Sequence, residues 1–460
     1  MKIVFYLSRI KGEILQEMPL GIGYIWSFLE KKAKERGLDI EMKFAPTLDE
    51  VLAEKPDMLG VCVLSQSIDD AIHVMEEARK QNPDIKIVMG GYHITLLPEL
   101  LPKIVDVGVL GEGEATFYEL VQLAIVGKFG KKWFSHIRGV CYNDGEKIVC
   151  TEPRGFFENL DDLPHPKRQM CDYTGIIGVF TSRGCPYNCI YCSSSKFWKR
   201  KFRVHSADYV IDEINLLIER FKPHTIHILD DLFLADKKRF DELHQKIIAN
   251  GINKKISFRA FVRANLVDED VIRKMKEMGF VLVRFGAETG SERLLKILKG
   301  GTVSIEDGQR TIDLCHKYDI PVSASFMFGI PGETLDDLQA TYDFLEKNRD
   351  KKFKIDGFFY FVPFPGTQIW EFAKKEGYID KNTDFTKLNP TLCSMGVSKE
   401  NAIYMNEKNI PFDEFKMIIE KIGKKFSTTR FQKFLAFLMK NSVLRKIIVK
   451  GVRVHRRLKK

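Results

Sequence analysis

Two stretches of this chain alternate short β-rich apolar runs with helical segments, and no other feature restricts the fold as much. In the first, residues 3–7, 58–64, 85–89 and 105–110 read as strands, with helical spacing over 21–36, 68–81 and 115–126. In the second, strands are expected at 176–181, 225–229, 257–262, 282–287, 322–328 and 357–362. Strands that alternate with helices predict parallel sheets covered by helices. Ligands of such sheets sit beyond the carboxyl ends of the strands. A chain of 460 residues, 44% of them apolar, has room for two or three domains with real cores.

Between the two stretches the pattern changes. Residues 139–149 hold an Asn-Asp-Gly turn between two short apolar runs and read as a hairpin. Asp161-Asp-Leu-Pro-His-Pro166 follows as an extended linker, because a residue before proline disfavours helix. The expected division is 1–130, 131–170 (hairpin and linker), 171–385, and a helical extension at 386–460.

The charge of +10 belongs to the end of the chain: after Glu420 there is no acidic residue, Lys and Arg number 14, and the remainder carries −4. Phe431, Phe434, Leu435 and Leu438, then Val443, Leu444, Ile447 and Ile448, fall at helical spacing among those basic residues. Such a tail packs on the protein with a solvated basic face, lies on anionic lipid as a peripheral membrane contact, or contacts nucleic acid through its phosphates. The first apolar run is too short for a signal peptide, and no stretch is long enough for a membrane span. Nine cysteines with no disulfide-type spacing fit the cytoplasm.

The chemistry centres on Arg183-Gly-Cys-Pro-Tyr-Asn-Cys-Ile-Tyr-Cys192. Gly184, Pro186 and Asn188 argue for a loop rather than a core element, against Cys185, Cys189 and Cys192 as plain small apolar residues. A structural zinc site takes four protein ligands. An electron-transfer [4Fe–4S] cluster takes four cysteines. Three cysteines leave one iron open to a substrate or cofactor.

This C-x3-C-x2-C run, with Tyr191 before the last cysteine, resembles the cluster loop of the radical S-adenosylmethionine (radical SAM) enzymes. The resemblance implies that Cys185, Cys189 and Cys192 hold a [4Fe–4S] cluster whose open iron binds the methionine end of S-adenosylmethionine. It also implies that the second stretch is a partial (β/α)6 barrel with its functional groups at strand ends. Asp230 or Asp231 then accepts from the cofactor's amino group, the other bracing the loop, and Arg263 pairs with its carboxylate or forms a solvent salt bridge. Glu288, in Phe285-Gly-Ala-Glu-Thr-Gly-Ser291, corresponds to a ribose-binding position. Gly329-Ile-Pro-Gly-Glu333, with Gly329 and Pro331, resembles a stretch that faces the adenine. Pro363-Phe-Pro-Gly-Thr367 is expected to be a turn closing the last strand.

Upstream, Pro19-Leu-Gly-Ile-Gly-Tyr24, Gly90-Gly-Tyr-His-Ile-Thr95 and Gly111-Glu-Gly-Glu114 resemble, in order and spacing, the loops of the cobalamin (B12)-binding domain fused to many radical SAM proteins. That domain is a Rossmann-like parallel sheet. Glycines let backbone approach a bulky corrin, and strand-end N–H groups suit its phosphate. Gly21, Gly90, Gly91, Gly111, Glu112 and Gly113 are implied as cobalamin-binding residues, with Ser65, Gln66 and His93. The D-x-H-x-x-G run of histidine-ligated domains is absent. The lower cobalt face is therefore expected to be open or to face Ser65 or Gln66, with Ser67 as a helix cap and His93 bracing its loop.

The resemblance implies a methyltransferase that abstracts hydrogen through a 5′-deoxyadenosyl radical and C-methylates an unactivated carbon. The alternatives are oxidative cyclisation of a lipid- or tetrapyrrole-like substrate and a non-enzymatic cobalamin or redox sensor. An RNA methylthio transferase ranks low, since its N-terminal domain would carry further cluster cysteines and Cys62 stands alone in the first 140 residues. Expected partners are a small-molecule or lipid-like substrate and a reductant such as flavodoxin or ferredoxin, with no nucleic acid.

Overall fold

The computed structural model describes residues 1–10, 15, 17–171, 173–380, 382–390, 398 and 400–426. The chain divides into two compact units, Met1–Phe412 and Asp413–Lys460. In the larger unit the first sheet holds β1 (Lys2–Leu7), β2 (Glu41–Phe44), β3 (Met58–Cys62), β4 (Lys86–Gly90), β5 (Val107–Val109), β6 (Val140–Asn143) and β7 (Ile148–Cys150). Their order is β2-β1-β3-β4-β5-β6-β7. The first five are parallel, whereas β6 and β7 run antiparallel. The hairpin expected at 139–149 therefore extends this sheet through β5 rather than standing apart with the linker. The unforeseen β2 is an edge strand with one buried residue in four, which gives almost no apolar signal.

Apolar side chains fill both faces of this sheet. Phe5 packs on Phe117 (centroids 5.3 Å apart) and Trp26 (6.1 Å) on one side. Tyr6, Val61, Met75 and Ile87 fill the other. Burying a side chain of this size is worth about 1.5–3 kcal/mol. The packing holds the glycine loops at the strand ends.

The second sheet contains β8 (Ile176–Val179); a separate ribbon follows, β9 (Ser182–Gly184) with β10 (Phe202–Val204). The sheet continues with β11 (Thr225–Ile228), β12 (Ser257–Val262), β13 (Phe280–Glu288), β14 (Val322–Phe328) and β15 (Phe353–Tyr360). The order is β15-β14-β13-β12-β11-β8, all parallel, and no pairing joins β8 to β15 among the described residues, so the barrel is partial. Ser206, Asp236, Asp268, Ser291, Ser304, Thr334 and Thr367 each cap the helix that follows them, accepting a backbone N–H of its first turn.

Of the smaller unit, residues 413–426 are described, and they are helical. The stripes expected from Phe431 to Ile448 lie outside the described residues. No described helix is long and apolar enough to cross a membrane.

Candidate active site

β9 and β10 pair with Gly184 opposite Phe202, so residues 185–201 leave the ribbon as one loop. Gly184 has φ +92°, and a Cβ there would collide with the Lys201 carbonyl oxygen. Glycine is what lets this loop close. The loop is anchored on several sides. Ile190 N–H donates to Leu298 O (3.0 Å), Ser193 Oγ to Pro365 O (3.0 Å) and Ser194 Oγ to Asp231 Oδ2 (2.8 Å). The Pro363–Thr367 turn thus also holds the cysteine loop.

Cys185, Cys189 and Cys192 are free and half-buried. Burial pushes the Cys185 thiol up and that of Cys192 up to about 12; Cys185 also feels Cys189, and Cys192 feels both other thiols. Among the described residues no three His, Cys, Asp or Glu side chains converge in a metal-holding arrangement. The chemistry of the donors still fits an iron–sulfur cluster: three soft thiols on one loop, within electrostatic reach of one another. Protonated when free, they must release protons on binding iron.

The strand ends converge on this loop. Asp230, after β11, is buried and saturated: Thr181 N and Oγ1 and Ser182 N and Oγ all donate to it. It braces the turn leading into the cysteines. Asp231 is exposed to the cavity described below and accepts from Ser194 Oγ at 2.8 Å, with the Trp198 indole and the Gly184 N–H also favouring its charged form. Of the two, Asp231 is the one available to an ammonium group. Arg263, after β12, is buried, with Nη1 3.4 Å from Cys189 Sγ, Nη2 2.6 Å from Thr302 Oγ1, and its guanidinium over the Tyr187 ring. It faces the cluster loop, not solvent.

Glu288 closes β13 at φ +65°, beside a register shift against β14. A non-glycine residue in that region is strained, and such strain gathers at functional sites. Its Oε1 accepts from Tyr191 OH and lies 3.0 Å from Lys299 Nζ, which also donates to Gly286 O at 2.6 Å. Gly329, at φ +81°, donates its N–H to Glu333 Oε2 (2.8 Å), and Pro331 is half-buried in the same loop.

Gly21, Gly90, Gly91, Gly111, Glu112 and Gly113 all line one cavity of about 300 Å³. Its opposite wall comes from the barrel side: Ser182, Arg183, Phe197, Trp198 and Asp231. A Cβ at Gly21 or Gly111 would meet only open space, and one at Gly91 would press on Val63 O at 2.7 Å. An apolar cavity with a glycine cradle fits a flat, bulky cofactor such as cobalamin.

Not all expected residues share it. Ser65, Gln66 and His93 do not line this cavity. His93 is buried, hydrogen-bonded to Ser65 Oγ at 3.0 Å, set edge-on to Phe385, and its pKa is lowered by burial to about 4. Ser67 precedes its helix without a side-chain cap; its hydroxyl donates to Leu64 O and pairs with Ser8 Oγ. Glu112, expected to bind a cofactor, is spent on two arginines. Arg183 Nη1 reaches Oε1 at 2.6 Å, and Arg203 donates to both carboxylate oxygens at 3.0 Å.

Comparison with known proteins identifies the family of both halves of the chain. Residues 15–121 match the B12 binding domain and residues 179–345 the Radical SAM superfamily. An uncharacterised methyltransferase of Pyrococcus horikoshii is 32% identical over 81% of this chain and 83% of its own. The anaerobic magnesium-protoporphyrin IX monomethyl ester cyclase of Rubrivivax gelatinosus is 27% identical over 70% of this chain and 59% of its own. In fold, the radical S-adenosylmethionine methyltransferase TsrM of Kitasatospora setae, solved with cobalamin and a [4Fe–4S] cluster, superposes with TM-score 0.66 at 18% identity, covering 90% of this chain and 82% of that one. The chain belongs to the cobalamin-binding radical SAM family. It is an enzyme of the methyltransferase type, and its cofactors are a [4Fe–4S] cluster, S-adenosylmethionine and cobalamin.

Sequence reasoning missed Arg183 and Arg203 as partners of the Gly111–Glu114 loop, although Arg183 stands two residues before Cys185. It also missed Lys299. A basic residue at the end of a helix reads as a dipole partner, and nothing in its spacing points to Glu288.

Proposed function

We propose that this enzyme C-methylates an unactivated carbon of a small-molecule substrate. The observation that carries the reading is the shared cavity, where the glycine cradle of the first sheet faces Asp231, Ser182 and Arg183 from the barrel side. When bound, the cluster and S-adenosylmethionine supply a hydrogen-abstracting radical and cobalamin supplies a methyl group. Cys185, Cys189 and Cys192 would hold the cluster, Asp231 the methionine amino group, and Glu288 the ribose. Tyr191 and Lys299 both hold Glu288 Oε1, leaving Oε2 for the ribose. Tyr92, Phe197 and Trp198 pack ring on ring and give the cavity an aromatic wall. A flavodoxin- or ferredoxin-type reductant supplies the electron.

Anaerobic reconstitution tests this. The expected result is about four irons per chain, one cobalamin, release of 5′-deoxyadenosine, and transfer of a deuterated methyl group to a product. Cobalamin binding without cleavage of S-adenosylmethionine would instead indicate a sensor. The similarity to the cyclase favours oxidative ring formation as the second reading, which a product that gains no methyl group would support.

A further inference from the structure

On β11, β12 and β13 side chains alternate between the two faces of the sheet, and His227, Arg259, Phe261 and Arg284 share one of them, the concave face of a partial barrel whose other face the helices cover. Burial alternates along β12, with Phe258, Ala260 and Val262 buried and Ser257, Arg259 and Phe261 half-buried between them. His227 pairs in register with Arg259, and Phe261 with Arg284. The concave face thus carries two guanidiniums and an imidazole where a barrel of this kind needs only packing.

Their charges do not balance. Arg284 pairs with Asp356 and lies over the Phe261 ring, 4.2 Å from its centroid. Among the described residues Arg259 has no ion-pair partner and feels Asp356 only at longer range, behind the Arg284–Asp356 pair; its hydrogen-bond partner is His227, Nη2 to Nδ1 at 3.1 Å. For that bond Nδ1 must accept, so the imidazole is neutral and its proton sits on Nε2. Burial and the two arginines favour the same neutral form. His227 Nε2, Arg259 Nε and Arg284 Nε are then buried donors with no acceptor among the described residues. Three idle donors and an uncompensated guanidinium are costly in a folded interior. An oxyanion removes that cost, because it offers several acceptors and a negative charge to a planar fork.

We infer that the substrate carries an anionic oxygen group, carboxylate or phosphoryl, received on the concave face of the barrel by Arg259 with His227. This rests on the methyl-transfer reading for what is done to the substrate, while the charge argument stands on the barrel alone. Arg259 lies four residues before Arg263, which touches Cys189. At the rise of a strand this places the anion site about 13 Å below the cluster loop. The anionic end points away from the cofactors, and the carbon to be modified lies towards them.

The test is calorimetric titration of the reconstituted holoenzyme with inorganic phosphate and, separately, with acetate, at constant ionic strength set with chloride. Wild type, Arg259→Met and Arg259→Lys are compared, with iron content as the check that each has folded. Replacing an unpaired buried cation by an apolar side chain of similar length is tolerated by folds. Wild type is expected to bind one probe, tighter phosphate pointing to a phosphoryl ester and tighter acetate to a carboxylate. Arg259→Met should bind at least about tenfold more weakly, with Arg259→Lys in between. Equal affinities in wild type and Arg259→Met overturn the inference, as does a wild type that cleaves S-adenosylmethionine yet binds neither probe. A wild type that binds the probe through Arg259 but releases no 5′-deoxyadenosine sinks the enzymatic reading and leaves the anion site standing.

Discussion

Glu112 and Arg183 lock the glycine loop of the first sheet to the ribbon that carries the cysteines: Oε1 and Nη1 meet at 2.6 Å with both side chains buried. Arg183 Nη2 also holds Glu114 at 2.9 Å, and its guanidinium lies over the Tyr24 ring. One guanidinium thus fixes the glycine loop of the first sheet to the ribbon that leads into the cysteines, 71 residues further along the chain.

Breaking this pair should cost more than an exposed ion pair does, because it strands buried charge. In Arg183→Met, Glu112 keeps Arg203 but Glu114 loses its ion-pair partner. A destabilisation of about 3 kcal/mol is expected in urea unfolding of the apo chain. Cobalamin retention and iron content after reconstitution should fall together. A variant that loses one cofactor and keeps the other fully would show that the pair does not couple the two loops.

Gly286 is expected to be intolerant of even one methyl group. A Cβ there would collide with Glu288 Oε1, the atom that Tyr191 and Lys299 hold. Gly286→Ala should displace the carboxylate while leaving the cluster loop in place. The expected outcome is weaker S-adenosylmethionine binding by about tenfold, from loss of a charge-assisted hydrogen bond, with normal iron content. Unchanged affinity would remove Glu288 from the ribose site.

Much of this was legible in the sequence, for reasons that differ by region. β12 and β14 fall at their expected bounds because each is a β-rich apolar run closed by a polar or glycine signal. The cysteine loop was legible because its spacing is local. The division of labour between Asp230 and Asp231 was not, since it depends on Thr181 and Ser182 folding back on one of two adjacent carboxylates. Glu112 looked like a ligand because its partners lie 71 and 91 residues away. His227 and Arg259 carried no signal at all, since strand register alone brings them together.

His93 offers a spectroscopic check on the cobalamin side. Its Nδ1 is engaged with Ser65, its ring is buried, and its low pKa reflects packing rather than a metal. The cob(II)alamin form of the holoenzyme should show no histidine nitrogen coupling in its electron paramagnetic resonance spectrum. His93→Asn should leave that spectrum unaltered while lowering stability by about 1–3 kcal/mol through a lost buried hydrogen bond. A nitrogen splitting that disappears in His93→Asn would make it the cobalt ligand.

Glu333 predicts a pH dependence in the loop expected to face the adenine. Burial raises its carboxyl from the ordinary 4.5 to about 8, against the Gly329 N–H bond that favours the charged form. Its Oε1 is buried without a partner among the described residues, so the proton has a place to reside. The raised pKa means that the folded chain holds a proton the unfolded chain has released. This contribution is therefore fully present below about pH 4.5, declines as pH rises, and is lost above about 8, amounting to as much as about 5 kcal/mol. Glu333→Gln keeps an acceptor for Gly329 N–H but cannot ionise, and its amide N–H₂ meets no acceptor at the Oε1 position. Wild type should be the more stable protein in urea at pH 5 and Glu333→Gln the more stable at pH 9, the two curves crossing between. S-Adenosylmethionine affinity should change over the same interval in wild type alone, because a buried charge then appears beside the Gly329–Glu333 turn while Glu333→Gln stays neutral. Parallel stability curves from pH 5 to 9 would mean that Glu333 stays in one protonation state throughout.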